Sequence, residues 1–183
     1  MRAAMVAGRI GSMELKELVA RQAPVHLVFP VSTLPRLAAL LPAGESAAFR
    51  TDASLDVDIS FDAGHEGYPR LDLRVSGKVP VVCQRCLKAL AWPVKVDVQL
   101  TMVGSNTEAN TLADPFDTVL LADGALETAD LVEDEVLVAL PLVPKHADAA
   151  CAGRDVLTES SETHQPMAGL ADLLRRSDRR GQE

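Results

Sequence analysis

The sequence predicts an α+β fold: a curved antiparallel β-sheet of about five strands, a meander able to curl into a partly closed barrel, with a few packed helices. Three observations carry this. Between residues 54 and 102, apolar and polar residues alternate in three runs, the pattern of strands with one buried and one wet face. The links between those runs are too short for a crossover helix, so neighbouring strands must be antiparallel. From Asp130 onward the apolar residues switch to helical spacing.

In chain order, Ser12 is placed to cap a short helix with a Leu15, Leu18, Val19 stripe, ended by Pro24. Val25 to Phe29 reads as a strand. Ser32 or Thr33 opens a second short helix through Leu34, Leu37, Leu40 and Leu41, stopped by Pro42 and Gly44. The first alternating run places Leu55, Val57, Ile59 and Phe61 on one face. The second buries Leu71, Leu73, Val75, Val79 and Val81, and Gly77 on that face marks a bulge or a close approach. The third runs Trp92, Val94, Val96, Val98, Leu100 and Met102. Gly104 to Pro115 reads as a polar flexible loop, and Asp117 to Leu121 as a short strand ending in an Asp123-Gly124 hairpin signal. Asp130 and Glu133 resemble a capping box opening the main helix, which Pro141 stops. Residues 152–165 read as a linker, and Met167 to Arg176 as a terminal amphipathic helix with a basic tail.

The expected organisation is therefore one α+β domain over 1–151, followed by 152–183 as linker and terminal helix. Aromatic residues make up only 3% of the 183, so Val, Leu, Ile and Ala must fill the core. Three cysteines are too few for a disulfide framework and suit a reducing compartment. The first residues lack the apolar region and cleavage signature of a signal peptide, and no run of about 18 apolar residues occurs, so a soluble cytoplasmic protein is expected.

Charge is unevenly distributed. The net charge is −8, yet residues 105–135 hold nine acidic residues and no Lys or Arg, so the rest of the chain sums to −8 + 9 = +1. Residues 70–95 carry six basic residues against Asp72 alone, a local +5. Arg74, Lys78, Arg85 and Lys88 are the candidate contacts to nucleic acid or a partner. The bland reading is that alternating strands put charges on their wet faces in any case.

Cys83-Gln84-Arg85-Cys86 sits between the second and third strands, and C-x2-C there can aim two thiolates at one point. His146 and Cys151 follow the main helix and the proline-stiffened Pro141-Leu142-Val143-Pro144. If that helix packs back on the sheet, Cys83, Cys86, His146 and Cys151 can form a Cys3His zinc set. The 59 residues between Cys86 and His146 are not a standard finger spacing. Small buried hydrophobes and a redox dithiol remain open; the latter lacks the helix N-terminus that lowers a thiol pKa in thioredoxin-like folds. No phosphate loop, nucleophile elbow or H-E-x-x-H motif is present. The alternative to a binding factor is a thiol- or metal-dependent enzyme of unknown substrate.

Cys83-Gln84-Arg85-Cys86-Leu87, then Leu131-Val132-Glu133-Asp134-Glu135, then Ala139-Leu140-Pro141-Leu142-Val143-Pro144-Lys145-His146 and Cys151, in this order, resemble the YceD family of large ribosomal RNA subunit accumulation proteins. The resemblance covers roughly residues 13–176. Pro166-Met167-Ala168-Gly169-Leu170 is similar to the family's ending but departs from its Asn-Pro-Phe-like sequence at Gln165 and Met167. The resemblance implies a role in synthesis, processing or stability of 23S ribosomal RNA, without catalysis. The partner it implies is large-subunit RNA, a ribosomal protein or an assembly factor. With few aromatic platforms for stacking bases, sequence-specific reading of single-stranded RNA is not expected.

Overall fold

The computed structural model describes residues 8–41, 53–65, 67–112, 117–147 and 151. The chain divides into two compact units, Met1–His146 and Ala147–Glu183, and the second is described only at Ala147 and Cys151. The predicted linker and terminal helix at 152–183 lie outside the described residues.

The first unit is α+β, as predicted. It holds strands β1 (Arg9–Ile10), β2 (Val25–Pro30), β3 (Ser54–His65), β4 (Tyr68–Val82), β5 (Ala89–Val103), β6 (Thr118–Leu120) and β7 (Leu126–Glu127). Its described helices are α1 (Ser12–Arg21), α2 (Pro35–Ala39), α3 (Asn106–Thr111) and α4 (Thr128–Ala139), with one 3-10 turn at Val31–Thr33. A curled five-stranded sheet has the order β2-β3-β4-β5-β6, and β1 pairs with β7 in a second, two-stranded one.

The three alternating runs form the β3-β4-β5 meander, and the alternation sets its register. Leu73 of β4 lies opposite Ile59 of β3 and Val98 of β5, and Val75 opposite Val57 and Val96. Leu55, Val57, Ile59, Leu71, Leu73 and Val75 are sealed from solvent on the inner face. α1 packs over β3 and α4 over β5, covering that face. Burying aliphatic side chains at about 25 cal/mol per Å2 is the main drive for closing these layers.

Gly77 is a close approach and not a bulge. A Cβ there would lie 2.6 Å from the Ser54 carbonyl oxygen and 2.9 Å from Leu55 Cδ2, while the ladder runs through it unbroken. The register shift falls between Asp62 and His65.

Several expectations need correction. The first helix is capped by Gly11, and Ser12 is its first helical residue. Residues 106–111 are helical, not loop: the Ser105 hydroxyl accepts from Glu108 N–H at 3.2 Å, and the Glu108 carboxylate accepts from Gly104 N–H at 2.7 Å. With α3 inside the connection, β6 returns parallel to β5, which makes the sheet mixed. Asp123-Gly124 does form a tight turn, both residues having positive φ and Ala125 N–H donating to Ala122 O. The chain leaving it pairs with β1 instead of closing a hairpin on β6. The main helix starts at Thr128 after Glu127, with no side-chain cap of its own, so the Asp130/Glu133 capping box is absent.

Candidate metal centre at the β4–β5 turn

β4 and β5 pair along their whole length to Val82–Ala89, leaving Cys83 to Lys88 as the turn. Cys83 N–H donates to Lys88 O at 2.9 Å, one further rung, and Leu87 N–H donates to Cys83 O at 2.9 Å. Closing so tightly puts Leu87 in the left-handed region at φ 58°, its side chain in solvent. The turn curls around the Cys83 side chain, which is fully buried, and leaves Cys86 half-buried.

The second half of the site arrives through α4. The helix stops at Leu140, because Pro141 cannot continue it, and Pro141 to His146 continues to the turn as irregular chain that bends at Leu142 and Val143. Gln84 N–H donates to Pro144 O at 2.9 Å, and the Arg85 guanidinium donates to His146 O at 3.2 Å. These two bonds hold His146 beside the turn, with Nδ1 3.4 Å from Cys86 Sγ.

The ligand atoms of Cys83, Cys86, His146 and Cys151 all lie within 4.8 Å of one another, close enough to hold a metal ion. The donor set fits zinc. Bonds of about 2.0–2.3 Å in a tetrahedron put donors roughly 3.3–3.8 Å apart, so small side-chain rotations suffice. Electrostatics favour the ligand form too. Burial pushes the Cys83 thiol up, but hydrogen bonds from the backbones of His146, Arg85 and Cys86 and from the Cys86 side chain outweigh it and bring it down to about 5. A thiolate is the state a metal needs.

The basic candidates separate into two groups. Arg74 lies in a cross-strand charge row: His26 opposite Asp58, Asp58 opposite Arg74, Arg74 opposite Asp97. His26 Nδ1 is 2.9 Å from Asp58, and Arg74 Nε is 3.3 Å from Asp97. Arg70, at the far end of β4, is held 2.7 Å from Asp62. Lys78 stands nearer the turn on the same wet face, Lys88 closes the turn, and neither has an ion pair among the described residues. With Arg85 and Lys145 they put positive charge around the cysteines. The unanswered positive charge thus lies toward the hairpin tip, since the two arginines farther down β4 are answered by aspartates.

One functional group was hidden from sequence reasoning. Glu133, expected to join Asp130 in a local capping box, is only 1% exposed and is the N-terminal cap of α2.

Residues 71–174, more than half of the chain, match the family model described as large ribosomal RNA subunit accumulation protein YceD. The match spans β4 from Leu71, the cysteine turn, β5, α4 and His146, and leaves β3 outside. No solved structure matches the chain. Among the described residues, no helix is long and apolar enough to cross a membrane.

Proposed function

Because this chain belongs to the family of large ribosomal RNA subunit accumulation proteins, we propose that it is a non-enzymatic, cytoplasmic factor in making, processing or stabilising 23S ribosomal RNA. Its working end is the β4–β5 tip. Cys83, Cys86, His146 and Cys151 hold a structural zinc ion there, and Arg85, Lys88 and Lys78 meet phosphates of the RNA. Arg74 joins them by exchanging Asp97 for a phosphate, which an exposed pair does at little cost. Zinc, when bound, would fix the turn by tying Cys83 and Cys86 to His146 and Cys151. The protein's own groups do the rest: Arg85 bonds the His146 carbonyl and presents its guanidinium at the rim, and the Gln84–Pro144 bond keeps the two segments in register.

The observation that carries this reading is the convergence of four zinc-type ligand atoms within 4.8 Å at a basic hairpin tip. Depleting cells of the protein and fractionating their ribosomes tests it. The expected result is a shortage of mature 23S RNA and large-subunit particles, restored by the wild-type chain and not by Cys83→Ser. Normal 23S RNA and normal large subunits in depleted cells would overturn the ribosomal role.

A further inference from the structure

A cleft of about 310 Å3 lies between β6 and α4, away from the cysteine turn. Its apolar surface comes from Leu100, Val119, Leu126 and Leu131, and its rim from Glu127, Asp130, Asp134 and Glu135. Among the described residues, no Lys or Arg lines it. Glu127 is answered by Arg9 at 3.1 Å and Asp134 by Arg36 at 2.5 Å. Asp130 and Glu135, with nearby Asp117, have no cationic partner among the described residues. The Glu135 carboxyl is pushed up by burial and by the neighbouring charges of Asp117 and Asp134, so negative charge is crowded at this part of the rim.

The other wall is an unfinished sheet edge. Among the described residues, β6 ends the order β2-β3-β4-β5-β6. Thr101 N–H donates to Asp117 O and Leu121 N–H to Val103 O, so residues 117, 119 and 121 bond inward to β5. Thr118 and Leu120, one residue out of phase, turn their N–H and C=O groups the other way, and both side chains are exposed. An open edge beside an apolar cleft is a template for an added strand.

We infer that the β6–α4 cleft is the docking site for an extended, lysine- and arginine-rich segment of a partner protein, which adds to the sheet along Thr118–Leu120. Alternate side chains of such a segment fall into the apolar cleft, and its cations meet Asp130, Glu135 and Asp117. Nucleic acid is the wrong occupant, because phosphates would face an acidic rim. The cleft shares none of the metal-site residues, so this inference stands or falls separately from the cysteine site.

The test is fluorescence anisotropy on the full chain, using a labelled octapeptide in which Lys or Arg alternates with Val or Leu, and a counterpart with Glu for every cation. The basic peptide should bind, weaken as salt is raised, and lose about tenfold or more in affinity, a loss of about 1.4 kcal/mol, to the Asp117→Asn/Asp130→Asn/Glu135→Gln variant. N-methylation at one alternate set of peptide positions should abolish binding, and at the other set should leave it intact. Cys83→Ser should bind the peptide as wild type does. Equal binding of the acidic peptide, full affinity in the triple variant, indifference to N-methylation, or displacement by poly(U) from the wild type alone would overturn the inference.

Discussion

Glu133 caps the start of α2 through Arg36, its neighbour in space and nearly a hundred residues away in sequence. Its buried carboxylate accepts Arg36 N–H at 2.6 Å, Leu37 N–H at 2.9 Å and Arg36 Nε–H at 2.8 Å. Helix N-termini leave N–H groups without partners, and a five-residue helix cannot satisfy them internally. α4 supplies what α2 lacks, so the two helices order together.

Replacing Glu133 by Ala should therefore destabilise the protein by about 2–3 kcal/mol, since buried N–H groups lose their acceptor. The urea midpoint reads this directly. Glu133→Gln should retain part of the cap and cost less.

The same carboxylate sets an acid limit. Burial alone pushes Glu133 up, but the Leu37 N–H and Arg36 outweigh it and hold it below the usual carboxylate range. A folded-state pKa lower than the unfolded one means stability present above the unfolded value, about 4.3, and lost as pH falls through the folded value. Wild type should lose stability between pH 5 and 3 more steeply than Glu133→Gln. Parallel slopes would show that the cap does not titrate in this window.

Glu135 works in the opposite direction. Its carboxyl is raised by burial, Asp117 and Asp134, so its contribution is greatest when protonated and declines as pH rises through the folded value. Glu135→Gln should raise the thermal midpoint at pH 7, and the gain should vanish below about pH 4.

Metal removal should separate the cysteine variants from wild type. Protein purified without chelator is expected to carry one zinc per chain, and Cys83→Ser less. A strong chelator should lower the thermal midpoint of wild type and leave that of Cys83→Ser nearly unchanged.

Gly77→Ala should cost about 1–3 kcal/mol, because the added methyl meets backbone at Ser54 and the Leu55 side chain, neither free to move. Gly8→Ala is the contrasting substitution, with nothing within 4 Å of the new Cβ. Denaturant unfolding of both, side by side, checks the close approach.

What could be read from the sequence was what local pattern determines. Alternation over Leu55–Phe61, Leu71–Val81 and Trp92–Met102 specified three strands, their faces and their antiparallel order. The parallel return of β6 was not readable, because the acidic stretch from 105 hid α3. Its signal was nonetheless present as Ser105-Asn106-Thr107-Glu108, a capping-box sequence. Glu133 was misread because a carboxylate three residues after Asp130 looks like a local cap; only tertiary packing sends it to Arg36. At the cysteine turn, C-x2-C spacing pointed to the Cys83 and Cys86 half. The approach of His146 depends on α4 running back along β5 and on Pro141 ending it, which spacing alone does not encode.

The cysteine turn also has a consequence in time. Cys83 and Cys86 are made 63 and 60 residues before His146, so during synthesis the first two candidate ligands precede the third by roughly 3–12 s at about 5–20 residues per second. Until α4 has emerged and folded, the hairpin tip holds half a donor set, open to other thiol or metal chemistry. Completion of the candidate centre thus follows the folding of α4, and a chain broken off before residue 146 lacks the histidine of the candidate set.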